Sequence, residues 1–497
     1  MVTPLQFELI DKPAGVPGDR DSGFVQFVSR LRGQPLFAVN DLDREVSGAV
    51  MVTPTLQSCT QLRQHAASGR LRTLFRFVTD RATPPQQKQA GPYSLTDCDT
   101  APFHSTSHSL WEAETVGLPD AEQLRVQVAA AGLPVLGDTA HGGSPFPRLM
   151  LHCVEMRLDG DTAEGDIAPP FRVPPPFVFD CPAQFDQTDL ITWLVCIERR
   201  QRAFSVHADS TLRLIHTDGG HLRCDRLGPV CWFYWYGDDP PEDSQLEDVA
   251  TVAAVAGADH WRLQWMFDRG KDPQQKRLWG DGSGESEWVG SENGVRYLFR
   301  EGQGLSPGLF LDQRRNRQWV KEQADGKRVL NLFSYTGGFG MCAAAGGARE
   351  TVNVDSNRNT QDWARQNFLL NGFPMDDTEF PTTDARLFVQ GCARRDREFD
   401  LIVCDPPSFA RCQDGVFQLN RHLPQLLGDL LAITAPEGSV VVSTNYEKWN
   451  FREFHRRVVD TVGRRAHVLP MPEQEWDFEL PGGQAEPILK SLCLRVE

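Results

Sequence analysis

Long apolar runs, paired cysteines and an excess of positive charge are all missing from this 497-residue chain. No stretch approaches the roughly 18 apolar residues that a membrane helix needs; the longest are short segments such as Val440 to Val442 between polar neighbours. The twelve cysteines contain no CxxC pair and no zinc-ligand spacing, and the start, MVTPLQFELIDKPAG, has no basic stretch leading into an apolar core. The expectation is a cytoplasmic protein with reduced thiols and neither membrane nor metal among its partners. Lys plus Arg number 51 against 67 Asp plus Glu, a net charge of -16. That balance excludes indiscriminate adhesion to nucleic acid or anionic lipid, so any polyanion must meet a local patch. With 40% hydrophobic residues and a mean hydropathy of -0.40, the chain reads as folded and globular, with room for about three domains.

Pattern divides it accordingly into 1–180, 181–298 and 299–497. The first boundary is APPFRVPPP (168–176), whose prolines remove donors and force extended backbone. A second Pro-rich stretch, ATPPQQKQAGP (82–92), reads as a loop after the strand-like LFRFV (74–78). The middle segment suggests an α+β unit, with strands at Leu212–His216 and Cys231–Tyr236 and a helix at Leu246–Ala256. From 299 onward VLNLF (329–333), TVNV (351–354), DLIVC (400–404) and SVVVS (439–443) alternate with helical stretches. Strands alternating with helices predict an α/β domain around a parallel, doubly wound sheet.

In that sheet the strand at 329–333 leads into Ser334, Tyr335, Thr336, Gly337 and Gly338 and then a small-residue helix. Glycines there let backbone approach a ligand at a helix N-terminus, and Asp355 ends the next strand, where a carboxylate can take a ribose diol. GxGxxG is absent, so a dinucleotide fingerprint is not met, and alone this is also the pattern of any strand–glycine–helix turn. Asp384 follows an expected third strand and could accept from an adenine amino group. Asp405, Pro406 and Pro407 follow the expected fourth. Carboxyl ends of doubly wound strands open on one crevice, so these positions converge.

GLFLDQRRNR (308–317), NLFSYTGGFG (331–340), VDSN (354–357), WARQNFLLNG (363–372), DPPSFAR (405–411), STN (443–445) and the ending EPILKSLCLRV stand in that order. Together they resemble the class I S-adenosylmethionine-dependent methyltransferases that modify large-subunit ribosomal RNA, over about 300–497. LRLIHTDGGHLRCDRLG (212–228) is similar to the substrate-side domain that precedes their Rossmann-like catalytic domain. The resemblance implies S-adenosylmethionine as cofactor and RNA as partner. Phe333 to Gly338 would hold the methionine moiety, Asp355 the ribose and Asp384 the adenine. Asp405, Pro406 and Pro407 would meet the methyl acceptor, without a metal.

Carbon-5 of a pyrimidine is a poor nucleophile and usually needs a thiolate added to the ring. The carbon-5 members of this branch carry that cysteine near the fifth strand, where this chain has Ser443, Thr444 and Asn445. The reading therefore favours a ring or exocyclic nitrogen, with Cys404 as a core thiol and Cys412 as the other nearby sulfur. Amide nitrogens of proteins are an alternative target of Asp-Pro-Pro sites. Two stretches, 311–328 and 447–465, each hold six Lys or Arg against three acids; each reads as a phosphate-contacting patch or as a solvated mixed face.

IDKPAGVPG (10–18), AVNDLDREVSGAV (38–50), EQLRVQVAAAGLPVLGDTAHGG (122–143) and RLMLH (148–152) resemble RluA-type pseudouridine synthases over about 1–180. Asp43 matches that family's catalytic aspartate in HRLDxxTSG, with Leu42, Ser47 and Gly48 beside it. Asn40 and Asp41 replace its His and Arg, Leu74 falls near its tyrosine, and GLPDAEQLR (117–125) keeps only Arg125 as an ion-pair partner for Asp43. These departures imply a degenerate α+β domain that still helps bind RNA. The alternatives are a bifunctional enzyme that also makes pseudouridine through Asp43, and a noncatalytic RNA-binding protein.

Overall fold

A computed structural model describes residues 6–14, 24–79, 89–98, 108–158, 171–176, 179, 188–203, 208–266, 277–282, 285–302, 306–412, 415–474, 476–478 and 488–496. Most of the Pro-rich loop (82–88) and the start of the Pro-rich boundary (168–170) lie outside the described residues. Gln89–Ala90, read as loop, instead pairs with Tyr93 and Ser94 in a short hairpin.

The first part of the chain builds one mixed nine-stranded sheet from Glu8–Lys12 to Phe171–Arg172. A five-stranded sheet follows from Thr211–Ile215 to Leu278–Gly280, flanked by helices Thr188–Ala203 and Asp243–Val255. One apolar cluster runs from Val50 and Phe75 of the first sheet through Trp193 to Leu214 and Phe233 of the second. These two parts therefore pack as one body.

The C-terminal sheet holds strands β1 (Arg328–Leu332), β2 (Glu350–Val354), β3 (Phe399–Cys404), β4 (Thr434–Thr444), β5 (Ala466–Pro470) and β6 (Lys490–Val496). Their order is β2-β1-β3-β4-β6-β5; β1 to β4 run parallel, and β6 is antiparallel to both β4 and β5. Along β3, Leu401 and Val403 join one core while Ile402 and Cys404 join the other. Side chains alternate across a strand, so an unbroken apolar run is what a sheet covered on both faces requires.

The third strand expected before Asp384 does not form among the described residues: Thr382 makes only an isolated bridge to Asp355. Pro374 and Pro381 remove two ladder donors there and few β-branched residues replace them. DLIVC is thus the third strand of the sheet, not the fourth.

Helix α1 (Arg314–Gln323) ties this sheet to the hairpin Glu287–Glu292/Val295–Arg300. Arg317 donates to both carboxylate oxygens of Glu292 at 2.7 and 2.8 Å, and both side chains are buried. Removing one partner of such a pair strands the other charge away from water. Arg317→Ala should lower stability by about 3–5 kcal/mol, read as a fall in the urea midpoint at unchanged slope.

Candidate active site

The carboxyl ends of β1, β2 and β3 meet on one rim. After β1 the chain turns through Phe333 (φ 56°), Ser334, Tyr335 (φ 50°), Thr336 and Gly337 (φ 83°) into helix α2 (Gly338–Ala345). Gly337 takes the left-handed cap conformation that costs a glycine least, and a Cβ there would lie 3.1 Å from Ala364 Cβ. Gly340 is needed for close approach: a Cβ on it would sit 2.0 Å from Asn353 Oδ1.

Asp355, just past β2, organises this turn. Its Oδ2 accepts from Tyr335 N at 2.9 Å, and its Oδ1 from Asn357 N at 2.9 Å and Thr360 Oγ1 at 3.2 Å. A carboxylate offers about four lone-pair sites, so Oδ2 keeps capacity for one more donor. Burial raises the Asp355 pKa against the pull of these donors. Asp384 caps helix α3 (Ala385–Ala393), with Oδ1 accepting from Arg386 N at 2.8 Å and Oδ2 held by the Arg386 guanidinium at 2.7 Å.

Phe333, Tyr335, Asp355, Asp384 and Asp405 are partly open along the rim, whereas Ser334, Thr336, Gly337 and Gly338 are buried. Thr336 Oγ1 donates to Gly308 O at 2.6 Å, and Gln361 Nε2 donates to Ser334 Oγ at 3.4 Å, so these hydroxyls shape the turn from behind. A strand-end carboxylate with an unspent lone pair, beside a glycine turn that opens a helix, suits an adenosyl ligand.

Asp405 follows β3 directly, with Pro406 buried and Pro407 exposed after it. Its Oδ1 accepts from Ser443 Oγ at 2.7 Å, near the end of β4. Burial, with Asp312 as a further like charge, lifts its carboxyl to about 6, although the Ser443 and Gln313 hydrogen bonds and Arg317 pull the other way. Gln313 and Ser443 stand within quoted motifs, yet nothing in the pattern paired them with Asp405. The contact joins residues 38 positions apart in the chain and depends on β3 and β4 lying side by side. Cys404 is buried in the core, and burial pushes its thiol well above the usual range. The Cys412 side chain lies outside what is described.

The family described as S-adenosylmethionine-dependent methyltransferase matches residues 221–455. That match takes in just under half of the chain. The methyltransferase part is 37% identical over 210 residues to ribosomal RNA large subunit methyltransferase I of Aeromonas salmonicida, covering 41% of this chain and 52% of that protein. It is also 37% identical over 202 residues to ribosomal RNA large subunit methyltransferase K of Neisseria meningitidis, covering 40% of this chain and 56% of that protein. The chain thus spans about half the length of these curated relatives. A methyltransferase crystallised in complex with SAH superposes with a TM-score of 0.56 at 26% identity, covering 62% of this chain and 81% of that one. The C-terminal methyltransferase domain is Rossmann-like, as its sheet pattern and motifs imply.

Outside the methyltransferase part, the expected Asp43–Arg125 ion pair does not form. Arg125 gives its guanidinium to Asp138 at 2.8 and 2.9 Å and to Glu122 at 2.8 Å. Asp138 is nearly fully buried and lies closer along the chain, so it takes the cation that Asp43, on an exposed turn, does not hold. Asn40 is structural: its Oδ1 accepts from Met51 N at 2.7 Å and its amide donates to Ala49 O at 3.3 Å. Ser47 Oγ lies 2.8 Å from His152 Nδ1, but both are fully buried and fix the sheet interior. Leu74 lines a cavity of about 290 Å³ with Arg72, Glu112, Glu114, Glu155 and Arg157, and Asp43 is not part of its wall.

The basic stretch 311–328 is not a free patch. Arg314 and Arg317 are buried on Asp477 and Glu292, and Arg328 pairs with Asp400 at 2.9 Å. In 447–465, Arg456 and Arg457 pair with Glu453, while Lys448, Arg452 and Arg464 are exposed. Among the described residues no group of His, Cys, Asp and Glu is placed to hold a metal ion, and no helix is long and apolar enough to cross a membrane.

Proposed function

We propose that this protein transfers a methyl group from S-adenosylmethionine to a nitrogen of a base in large-subunit ribosomal RNA. The observation that carries this reading is Asp405, held by Ser443 at the carboxyl end of β3, on the same rim as the Asp355-organised glycine turn. Asp355 would hold the ribose and Asp384 the adenine, and Phe333 to Gly338 would wall the methionine end. S-adenosylmethionine supplies an electrophilic methyl on a sulfonium, so in-line displacement depends chiefly on orientation and on exclusion of water.

Asp405 would accept an N–H of the target base, with Pro406 and Pro407 fixing the backbone beside it. The Ser443 hydroxyl is engaged with Asp405, and Cys404 is buried and protonated. Neither supplies the thiolate that attack at carbon-5 calls for, which favours a nitrogen. We further assign 1–180 and 181–298 to binding the RNA, with 299–497 as the catalytic domain, and place the protein in the cytoplasm, where its substrate is made.

Ribosomal RNA from a deletion strain, compared with its parent by mass spectrometry, should lack one methylated base. Complementation with Asp43→Ala should restore the methyl mark and leave the pseudouridine map unchanged. A missing pseudouridine that returns with the wild-type chain but not with Asp43→Ala would establish a second activity and contradict a degenerate N-terminal domain.

A further inference from the structure

Four side chains from three elements form a directed chain of hydrogen bonds that ends on Asp405. Asn316 Nδ2, on α1, donates to Gln313 Oε1 at 2.6 Å and to Ser491 Oγ on β6 at 2.8 Å. A carboxylate only accepts, so Ser443 spends its one proton on Asp405 and the Gln313 amide must face Ser443 with its NH2, Nε2 donating to Ser443 Oγ at 3.0 Å. Ser443, fully buried on β4, has one proton to give and here receives a bond from Gln313; its proton goes to Asp405 Oδ1 at 2.7 Å. Every link is a donor pointing towards the carboxylate. The Asp405 carboxylate is thus oriented from behind through Oδ1.

We infer that Gln313 and Ser443 are positioning residues that hold Asp405 as a hydrogen-bond acceptor for an N–H group of the target base. This rests on the methyltransferase reading and narrows its substrate class to bases that present an N–H to Asp405. An N–H donor on the base matches a carboxylate held as acceptor. Neither residue touches the substrate; both act through Asp405. The charged groups that act on Asp405 are Asp312, which raises its pKa, and Arg317, which lowers it. Arg317 is buried against Glu292, while the Ser443 hydroxyl sits on Oδ1 at 2.7 Å and the Gln313 amide also acts on the carboxylate.

The test uses the full chain, tritiated S-adenosylmethionine and ribosomal RNA purified from a deletion strain. Ser443→Ala and Gln313→Ala should each lower kcat about 10- to 30-fold, with KM for RNA and calorimetric affinity for S-adenosylmethionine changed less than about threefold. Loss of a donor favours the protonated acid, so the acidic limb of the pH–rate profile should move to higher pH in Ser443→Ala. Because Gln313 backs Ser443 and both act on the same carboxylate, the loss in the double variant should be less than the sum of the two single losses. Ser443→Cys keeps the shape but weakens the donor and should fall between alanine and wild type, even if the alanine variant folds poorly. An unmoved acidic limb, or fully additive losses in the double variant, would overturn the inference. A wild-type chain that binds S-adenosylmethionine yet methylates none of this RNA would instead sink the parent reading, and the inference with it.

Discussion

Asp405→Asn should slow methyl transfer to ribosomal RNA by about 100-fold or more while leaving the affinity for S-adenosylmethionine within about threefold. The substitution keeps shape and one acceptor oxygen but replaces a carboxylate with a neutral amide, whose NH2 meets the donor from Ser443 or the N–H of the base. One of those two contacts becomes donor against donor. The wild-type rate should also fall as pH drops through about 6, the value to which burial lifts this carboxyl, because a protonated Asp405 loses acceptor capacity. The same shift acts on stability with the opposite sense. The folded chain binds this proton more tightly than the unfolded one, so the contribution of Asp405 to stability is fully present below the ordinary value of 3.8 and is lost as pH rises through about 6. Single-turnover transfer between pH 5 and 8 separates the rate effect from RNA binding.

Asp355→Ala should weaken S-adenosylmethionine binding by about 10- to 100-fold, measured by calorimetry, through two losses. The carboxylate that would take the ribose disappears. Two backbone donors, Tyr335 N and Asn357 N, also lose their acceptor, and the turn from Phe333 to Gly337 is released. Tyr335 stands at φ 50°, a conformation that costs a non-glycine residue and that the Asp355 contact helps hold. Asp355→Asn retains an acceptor for Tyr335 N and should bind several-fold better than the alanine variant. Equal binding by both variants would show that the turn does not need the contact.

What could be read before any coordinates differs sharply between the two ends of the chain. The four parallel C-terminal strands declare themselves because each is a short, mainly apolar run beside helical pattern, and the order of motifs along them places Asp355 and Asp405 at strand ends. The segment before Asp384 misleads for a local reason: its prolines cap the pairing at one bridge to Asp355, so an expected strand is replaced by a loop. The Asn316–Gln313–Ser443–Asp405 relay leaves no trace in pattern, since amide and hydroxyl side chains carry no periodic signal and the partners lie far apart in sequence. Charge counting fails in a related way at 311–328. Arginines there look like a nucleic-acid patch until Glu292 and Asp477, from other elements, are folded onto Arg317 and Arg314. At the other end, Asp43 keeps its place in the motif, but its presumed partner Arg125 turns to Asp138.

Methyl transfer as proposed requires the rim of the parallel sheet to hold an adenosyl group with its sulfur directed at Asp405. A crystal structure of the full chain with S-adenosylhomocysteine tests this most directly. Ligand density is expected with the ribose on Asp355, the adenine beside Asp384 and the sulfur facing Asp405. Density seated elsewhere on the chain, or an empty rim at saturating ligand, would contradict it.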